Sequence, residues 1–174
     1  LIVIGCLAKR YKKVLEEEIP EIDLIVGVDE YDTIGEKLNE LFNSKLPKTY
    51  DPLKRSLTNP LPVAYLKIGE GCSNKCAYCA IPLIRGPYVS RMIDDIVLEV
   101  KEHLLKGRKE IVLIAQDTSF YGRDIYGKPM LAELLKRLEK IDGLHWIRIL
   151  YTYPEGITKE LINTMKKSKK IYRI

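Results

Sequence analysis

Hydrophobic and polar positions change period several times along the chain. Leu1–Ile4 is a short apolar run, residues 8 to 18 carry a helical pattern that stops before Pro20, and Asp23–Val28 is a second apolar run with Gly27 near its end. From about Thr33 to Phe42, the residues Ile34, Leu38, Leu41 and Phe42 share one helical face. Strand, helix, strand, helix is the order of a parallel α/β unit. Over residues 44–60 the periodicity disappears. Ser44, Pro47, Asp51, Pro52, Thr58, Asn59 and Pro60 punctuate a stretch that reads as a linker.

Regular patterning resumes at Leu61. A strand is expected over about 62–68, where Pro62 is tolerable only at the beginning. A helix follows over about 92–106, with Ser90 as N-cap, an apolar stripe of Ile93, Ile96, Val97, Val100 and Leu104, and Gly107 at C′. Glu110–Ala115 is nearly all apolar, as a strand buried on both faces should be. Residues 116–129 read as a loop. The next helix turns Leu131, Leu134, Leu135, Leu138 and Ile141 inward and ends at Gly143. A strand over about 144–150, a helix over about 158–167 and the opening of a fourth strand at Ile171 complete the pattern. Alternating strands and helices with short connections make a parallel sheet, either open or rolled into a barrel, and ligands then sit at the carboxyl ends of the strands. Three loops are expected at that edge: the cysteine-rich stretch after the first strand, Gln116–Ser119 after the second and Tyr151–Pro154 after the third.

Composition narrows the class. The chain has 174 residues, 46% hydrophobic and 30% charged, enough for one good core or for a domain plus part of another. A net charge of +5 suits an RNA or ribosomal partner and equally suits an ordinary basic protein of the cytoplasm. No apolar run approaches the roughly 20 residues that cross a bilayer, so no membrane partner is expected. The start lacks a basic region of the signal-peptide kind. Both ends read as strands cut short.

Three of the four cysteines fall within eight residues, Cys72-Ser73-Asn74-Lys75-Cys76-Ala77-Tyr78-Cys79. A disulfide framework would spread them; this clustering points to metal. Three thiolates on one loop suit a 4Fe–4S cluster with one iron left open to a small chelating molecule, as S-adenosylmethionine (SAM) is bound in radical SAM enzymes. A closed zinc site wants four ligands, and the two histidines, His103 and His145, read as lying inside a helix and a strand. A ferredoxin-like carrier needs a fourth local cysteine, and none follows Cys79. Gly69-Glu70-Gly71 allows a sharp turn and close backbone approach before Cys72. Tyr78 either packs on the adenine of SAM or fills the mouth of the barrel. Cys6, outside the loop, reads from its surroundings as a small apolar residue at a strand end.

The run Leu66-Lys67-Ile68-Gly69-Glu70-Gly71-Cys72-Ser73-Asn74-Lys75-Cys76-Ala77-Tyr78-Cys79-Ala80-Ile81-Pro82, then Arg85-Gly86-Pro87-Tyr88-Val89-Ser90-Arg91, resembles the radical SAM methylthiotransferases, as does Gly5-Cys6-Leu7-Ala8-Lys9-Arg10. Ala115-Gln116-Asp117-Thr118-Ser119-Phe120-Tyr121-Gly122 resembles the branch called RimO, which modifies an aspartate of small-subunit ribosomal protein S-twelve; the tRNA-modifying branch, MiaB, carries an asparagine-containing variant of this loop. The resemblance implies an α/β protein: residues 1–43 as the latter part of an N-terminal methylthiotransferase domain, 44–60 as linker, and 61–174 as the first half of a radical SAM partial barrel. It further implies two 4Fe–4S clusters in the full-length enzyme. Cys72, Cys76 and Cys79 would hold the one that binds SAM, and Cys6 would be one ligand of the auxiliary one. One SAM would methylate sulfur associated with the auxiliary cluster; a second would give the radical that activates an unactivated carbon for methylthio insertion. An electron donor such as flavodoxin or ferredoxin is implied. Gln116 and Asp117 would touch the methionine part of SAM, though Asp117 also suits a loop cap. Arg85 and Arg91 would meet the SAM carboxylate or the substrate, or pair with acidic groups. The family's first two auxiliary cysteines, its later barrel strands and its C-terminal TRAM domain have no counterpart in these 174 residues.

Overall fold

A computed structural model describes residues 1–45 and 58–172. Most of the linker expected over 44–60 therefore lies outside the described residues. The described chain divides into two units, one of residues 1–45 and 74–86, the other of residues 58–73 and 87–172.

In the first unit, β1 (Ile2–Ile4) pairs in parallel with β2 (Leu24–Val26), Ile2 opposite Leu24. The connection holds α1 (Cys6–Arg10) and α2 (Lys12–Glu18). One continuous helix was expected over residues 8–18. The helix instead begins at Cys6 and breaks at Tyr11, whose φ of −119° and ψ of 25° depart from helical values. After β2, α3 (Ile34–Phe42) ends at Asn43 in the left-handed conformation that asparagine tolerates. The buried apolar residues of residues 1–45 are Ala8, Ile25 and Val26, a modest core. α4 (Ile81–Arg85), which the sequence pattern did not suggest, packs on α1.

The second unit holds the principal core. β3 (Val63–Lys67), β6 (Glu110–Ile114) and β7 (Trp146–Ile149) form a parallel sheet in the order β3-β6-β7, with Val63 opposite Glu110 and Glu110 opposite Trp146. A parallel bridge from Ile147 to Ile171 adds the beginning of a further strand position, as the apolar Ile171 suggested. β6 is the central strand, which is why its residues Ile111–Leu113 are buried irrespective of face. The helices α5 (Ile93–Leu105), α7 (Leu131–Glu139) and α8 (Lys159–Lys167) follow the strands in the expected alternation. Leu131, Leu134, Leu135 and Leu138 of α7 are all within 2% of complete burial. Each contributes about 1.5–3 kcal/mol by leaving water. Thr158 caps α8, its Oγ1 accepting from Leu161 N at 3.1 Å.

Three expectations are corrected. Ser90 does not cap α5; the residue before that helix is the extended Met92, and Ser90 lies in β5 (Val89–Ser90), antiparallel to β4 (Gly69–Glu70). Its hydroxyl is engaged by Asp124, which removes it from any capping role. The loop 116–129 is partly helical, with a 3₁₀ turn at Thr118–Phe120 and α6 (Arg123–Tyr126). His145 lies just before β7 rather than inside a strand. Among the described residues, no helix is long and apolar enough to cross a membrane.

Candidate metal centre and cofactor site

The site is built on the carboxyl edge of the β3-β6-β7 sheet. β3 runs out at Lys67, and Ile68 N still donates to Ile114 O at 2.9 Å, so the backbone is held to the sheet until β4 begins. A Cβ placed on Gly69 would stand 2.5 Å from the Tyr88 hydroxyl, so glycine is required there. Gly71 has φ +77°, a turn conformation that a side chain resists. Both observations match the expected use of Gly69-Glu70-Gly71. The buried Cys72 follows directly.

The division between the units falls inside the cysteine loop, after Ser73. Cys72 belongs to the second unit, while Cys76 and Cys79 belong to the first, where Cys79 N donates to Cys76 O at 3.1 Å in a tight turn. All four cysteines are free thiols. Among the described residues, no group of three His, Cys, Asp or Glu side chains is gathered as it would be around a metal ion. The donor set of the loop nevertheless suits a 4Fe–4S cluster with an open iron: three thiols, no disulfide, and a short spacing. Cys6 is the one cysteine left, so this chain by itself does not supply the thiols of an auxiliary cluster. Cys6 opens α1 and accepts a hydrogen bond from Arg85 Nη2 at 3.2 Å, 79 residues away in sequence. Arg85 is thus directed at a sulfur. Tyr78 is 93% exposed, on a loop that covers neither of its ring faces.

At the end of β6, Gln116 Nε2 donates to Glu70 Oε1 at 3.1 Å. Gln116 Oε1 is buried and has no hydrogen-bond partner among the described residues. An orphaned acceptor of that kind costs about 1–3 kcal/mol unless a ligand satisfies it. Asp117 is buried and caps the 3₁₀ turn, its Oδ1 accepting from Ser119 N at 2.9 Å and from Ser119 Oγ at 2.5 Å. The capping role proposed for Asp117 is therefore present. Thr118 Oγ1 donates to Leu150 O at 2.9 Å, and Ser119 Oγ also lies 3.1 Å from Tyr153 O, so the loops after β6 and β7 are joined as the strand order implied.

Arg91 takes the structural one of its two expected roles. Its Nη1 donates to Lys67 O at 2.9 Å and to Glu99 Oε2 at 2.6 Å, pairing with a carboxylate that is 2% exposed. His103 Nε2 stands 3.4 Å from Glu99 Oε1, but neither ring nitrogen makes a hydrogen bond among the described residues.

Two groups escaped sequence reasoning. Asp124 accepts from Ser90 N at 2.7 Å and from its hydroxyl. Burial works to raise the Asp124 pKa, and the hydrogen bonds from Ser90 together with those from the backbone of Asp124 and Ile125 outweigh it and hold it below the ordinary carboxylate value. Tyr88 is 3% exposed, and its hydroxyl has no partner among the described residues. Burial, then the negative charges of Asp117, Asp124 and Cys72, push this phenol well above its usual range. Asp124 carries no periodic or motif signal, and Tyr88, although it lies within the Arg85–Arg91 run, carries no periodic one.

Comparison with known proteins bears on this geometry. Residues 66–174 match the radical SAM superfamily. The chain is 51% identical over 96% of its length to a protein of Clostridioides difficile named ribosomal protein uS12 methylthiotransferase RimO. Proteins of the same name from Alkaliphilus oremlandii and a Thermoanaerobacter species are 49% and 46% identical over 98% and 99% of the chain. The chain spans 39%, 40% and 42% of these three curated relatives.

Proposed function

Because the chain belongs to the radical SAM superfamily, whose chemistry uses SAM and an iron–sulfur cluster, we propose that it is a segment of a longer methylthiotransferase acting on small-subunit ribosomal protein uS12, at the β-carbon of an aspartate. The observation that carries this reading is the cysteine loop leaving the carboxyl end of β3 beside the orphaned Gln116 Oε1. The names of the relatives, matched along nearly the whole chain, supply the substrate.

Cys72, Cys76 and Cys79 would hold the SAM-binding cluster. When bound, that cluster supplies the electron that opens the sulfonium bond of SAM. The remaining work falls to the chain's own side chains. Glu70 engages the amide nitrogen of Gln116, which leaves the buried Oε1 as an acceptor that the SAM amino group would satisfy. Asp117 and Ser119 hold the loop after β6 in shape. Tyr78 would cover the adenine once SAM is seated. The auxiliary cluster would draw on Cys6 and on thiols outside this sequence. We read residues 1–43 and 61–174 as parts of two domains joined by 44–60, and the enzyme as cytoplasmic, reduced by a flavodoxin or ferredoxin.

The test uses the full-length enzyme, reconstituted anaerobically with iron and sulfide and given SAM and reductant. Ribosomal protein uS12 and hypomodified tRNA are offered side by side, with Cys72→Ala as control. A methylthio mass gain on the ribosomal protein, absent in the variant, is the expected result. Gain on tRNA alone would overturn the substrate. No gain on either, with no deoxyadenosine released, would reduce the chain to an iron–sulfur scaffold.

A further inference from the structure

We infer that Tyr88 is a positioning residue for the cluster held at Cys72, donating its phenol hydrogen to the sulfur of that ligand. The inference rests on the reading of Cys72, Cys76 and Cys79 as cluster ligands.

The residues that grip Tyr88 lie on both sides of Cys72. Its backbone N donates to Ser73 Oγ at 3.1 Å, one residue after the cysteine. Its hydroxyl lies over Gly69, three residues before it, so closely that a Cβ there would meet the oxygen at 2.5 Å and the ring at 2.6 Å. The segment from Gly69 to Ser73 therefore holds Tyr88 twice, by its backbone at Ser73 and by its ring at Gly69. The ring is braced from the other side by Phe120, with centroids 5.2 Å apart. A phenol clamped in this way cannot swing out to solvent.

The hydroxyl is nevertheless unsatisfied. It is buried, and no described residue accepts from it or donates to it. Buried hydroxyls are ordinarily paired, and an exception in a native fold marks a group that waits for a partner. Its surroundings decide which kind. Asp117 and Asp124 are nearby, and both carboxylates are already engaged, the first by Ser119 and the second by Ser90. Cys72 is the remaining negative neighbour once it is a thiolate. A thiolate bound to iron accepts hydrogen bonds, and each one stabilises the more negative, reduced cluster, which raises its potential. A donor fixed by glycine on one side and an aromatic ring on the other adds this effect with little loss of side-chain freedom.

Tyr88→Phe keeps the ring and removes the oxygen alone. The experiment is a potentiometric titration of the reconstituted full-length enzyme, read by electron paramagnetic resonance without substrate, with iron counted per chain. Tyr88→Phe should retain wild-type iron and shift the SAM-binding cluster to lower potential, by up to a tenfold change in its one-electron equilibrium, ~59 mV. An unchanged potential at full iron loading overturns the inference, as does an unchanged potential accompanied by weaker SAM binding, which would assign the phenol to SAM instead. Should Tyr88→Phe load poorly, Tyr88→Leu decides on the fraction that loads, by the same criterion. Cys72→Ala separates the premise: if it keeps the SAM-binding cluster, the ligand reading fails, and the Tyr88 inference with it.

Discussion

Gln116 Nε2 donates to Glu70 Oε1 at 3.1 Å, which joins the end of β6 to the turn that launches the cysteine loop. The bond occupies the amide nitrogen and leaves the buried Oε1 as an acceptor to which no described residue donates. Gln116→Ala should therefore weaken SAM binding to the iron-loaded full-length enzyme about tenfold, the loss of one well-placed hydrogen bond. Gln116→Glu should do worse, since it sets a second carboxylate against Glu70. Equilibrium dialysis with labelled SAM reads both. Equal affinity in the alanine variant would show that Oε1 does not touch the cofactor.

Gly69 and Tyr88 give a stability prediction in the iron-free protein. A methyl at Gly69 has no room, because the Tyr88 ring occupies its place and is itself held against Phe120. Gly69→Ala should cost about 1–3 kcal/mol by overpacking. Tyr88→Phe should cost nothing and gain up to about 1 kcal/mol, since it deletes a hydroxyl that has no partner. Urea unfolding of the two variants checks this. A Tyr88→Phe loss larger than 1 kcal/mol, an order-of-magnitude threshold for one hydrogen bond, would mean the hydroxyl is paired without the cluster.

The sequence made the parallel alternation legible because β6 is a continuous apolar run and α7 carries an apolar stripe of period 3.6. β3, β6, β7, α5 and α8 appear within a residue or two of their expected positions, while α7 ends at Glu139, short of Ile141 and of the expected stop at Gly143. What stayed hidden depends on contacts distant in sequence. β4 and β5 are two residues each, too short for any period, and they exist because Gly69 pairs with Ser90. Ser90 looked like a cap by type, but Asp124, 34 residues on, claims its hydroxyl. The cysteine loop itself was plain from spacing. The contact between Arg85 and Cys6 was not, because no local pattern reports an approach across 79 residues.

In the first unit, Glu30 contributes to the acid limb of stability. Its carboxylate accepts from Gly27 N at 2.9 Å, pairs with Lys37 and lies 3.8 Å from Lys12. The hydrogen bond from Lys37, then that from Gly27, lower its pKa from 4.5 to about 2. A depressed carboxylate stabilises the fold above its unfolded value, and the contribution is lost as pH falls from 4.5 through about 2. Glu30→Gln should flatten this part of the profile. The variant should be less stable than wild type at neutral pH, and the difference should close by about pH 2. Thermal melts by circular dichroism across that window read it; a gap that persists at the acid end would place the effect in packing rather than charge.

Arg91 and Glu99 make the sharpest demand on the second unit. Glu99 is 2% exposed and meets Arg91 Nη1 at 2.6 Å, while His103 stands at 3.4 Å without hydrogen-bond alignment. A buried carboxylate that loses its cation is left with a desolvated charge, which costs about 3–5 kcal/mol. Arg91→Met should therefore destabilise the chain by about that amount, more than the loss of one exposed pair would. Arg91 also holds Lys67 O at 2.9 Å, so part of the loss should fall on the end of β3, where the cysteine loop begins. The double variant Arg91→Met with Glu99→Leu removes the stranded charge and should recover most of the stability, leaving only the Lys67 contribution. Chemical unfolding of the single and double variants measures both. If the double variant is no more stable than Arg91→Met, the pair is not what Arg91 supplies, and its hold on the β3 backbone accounts for the whole effect.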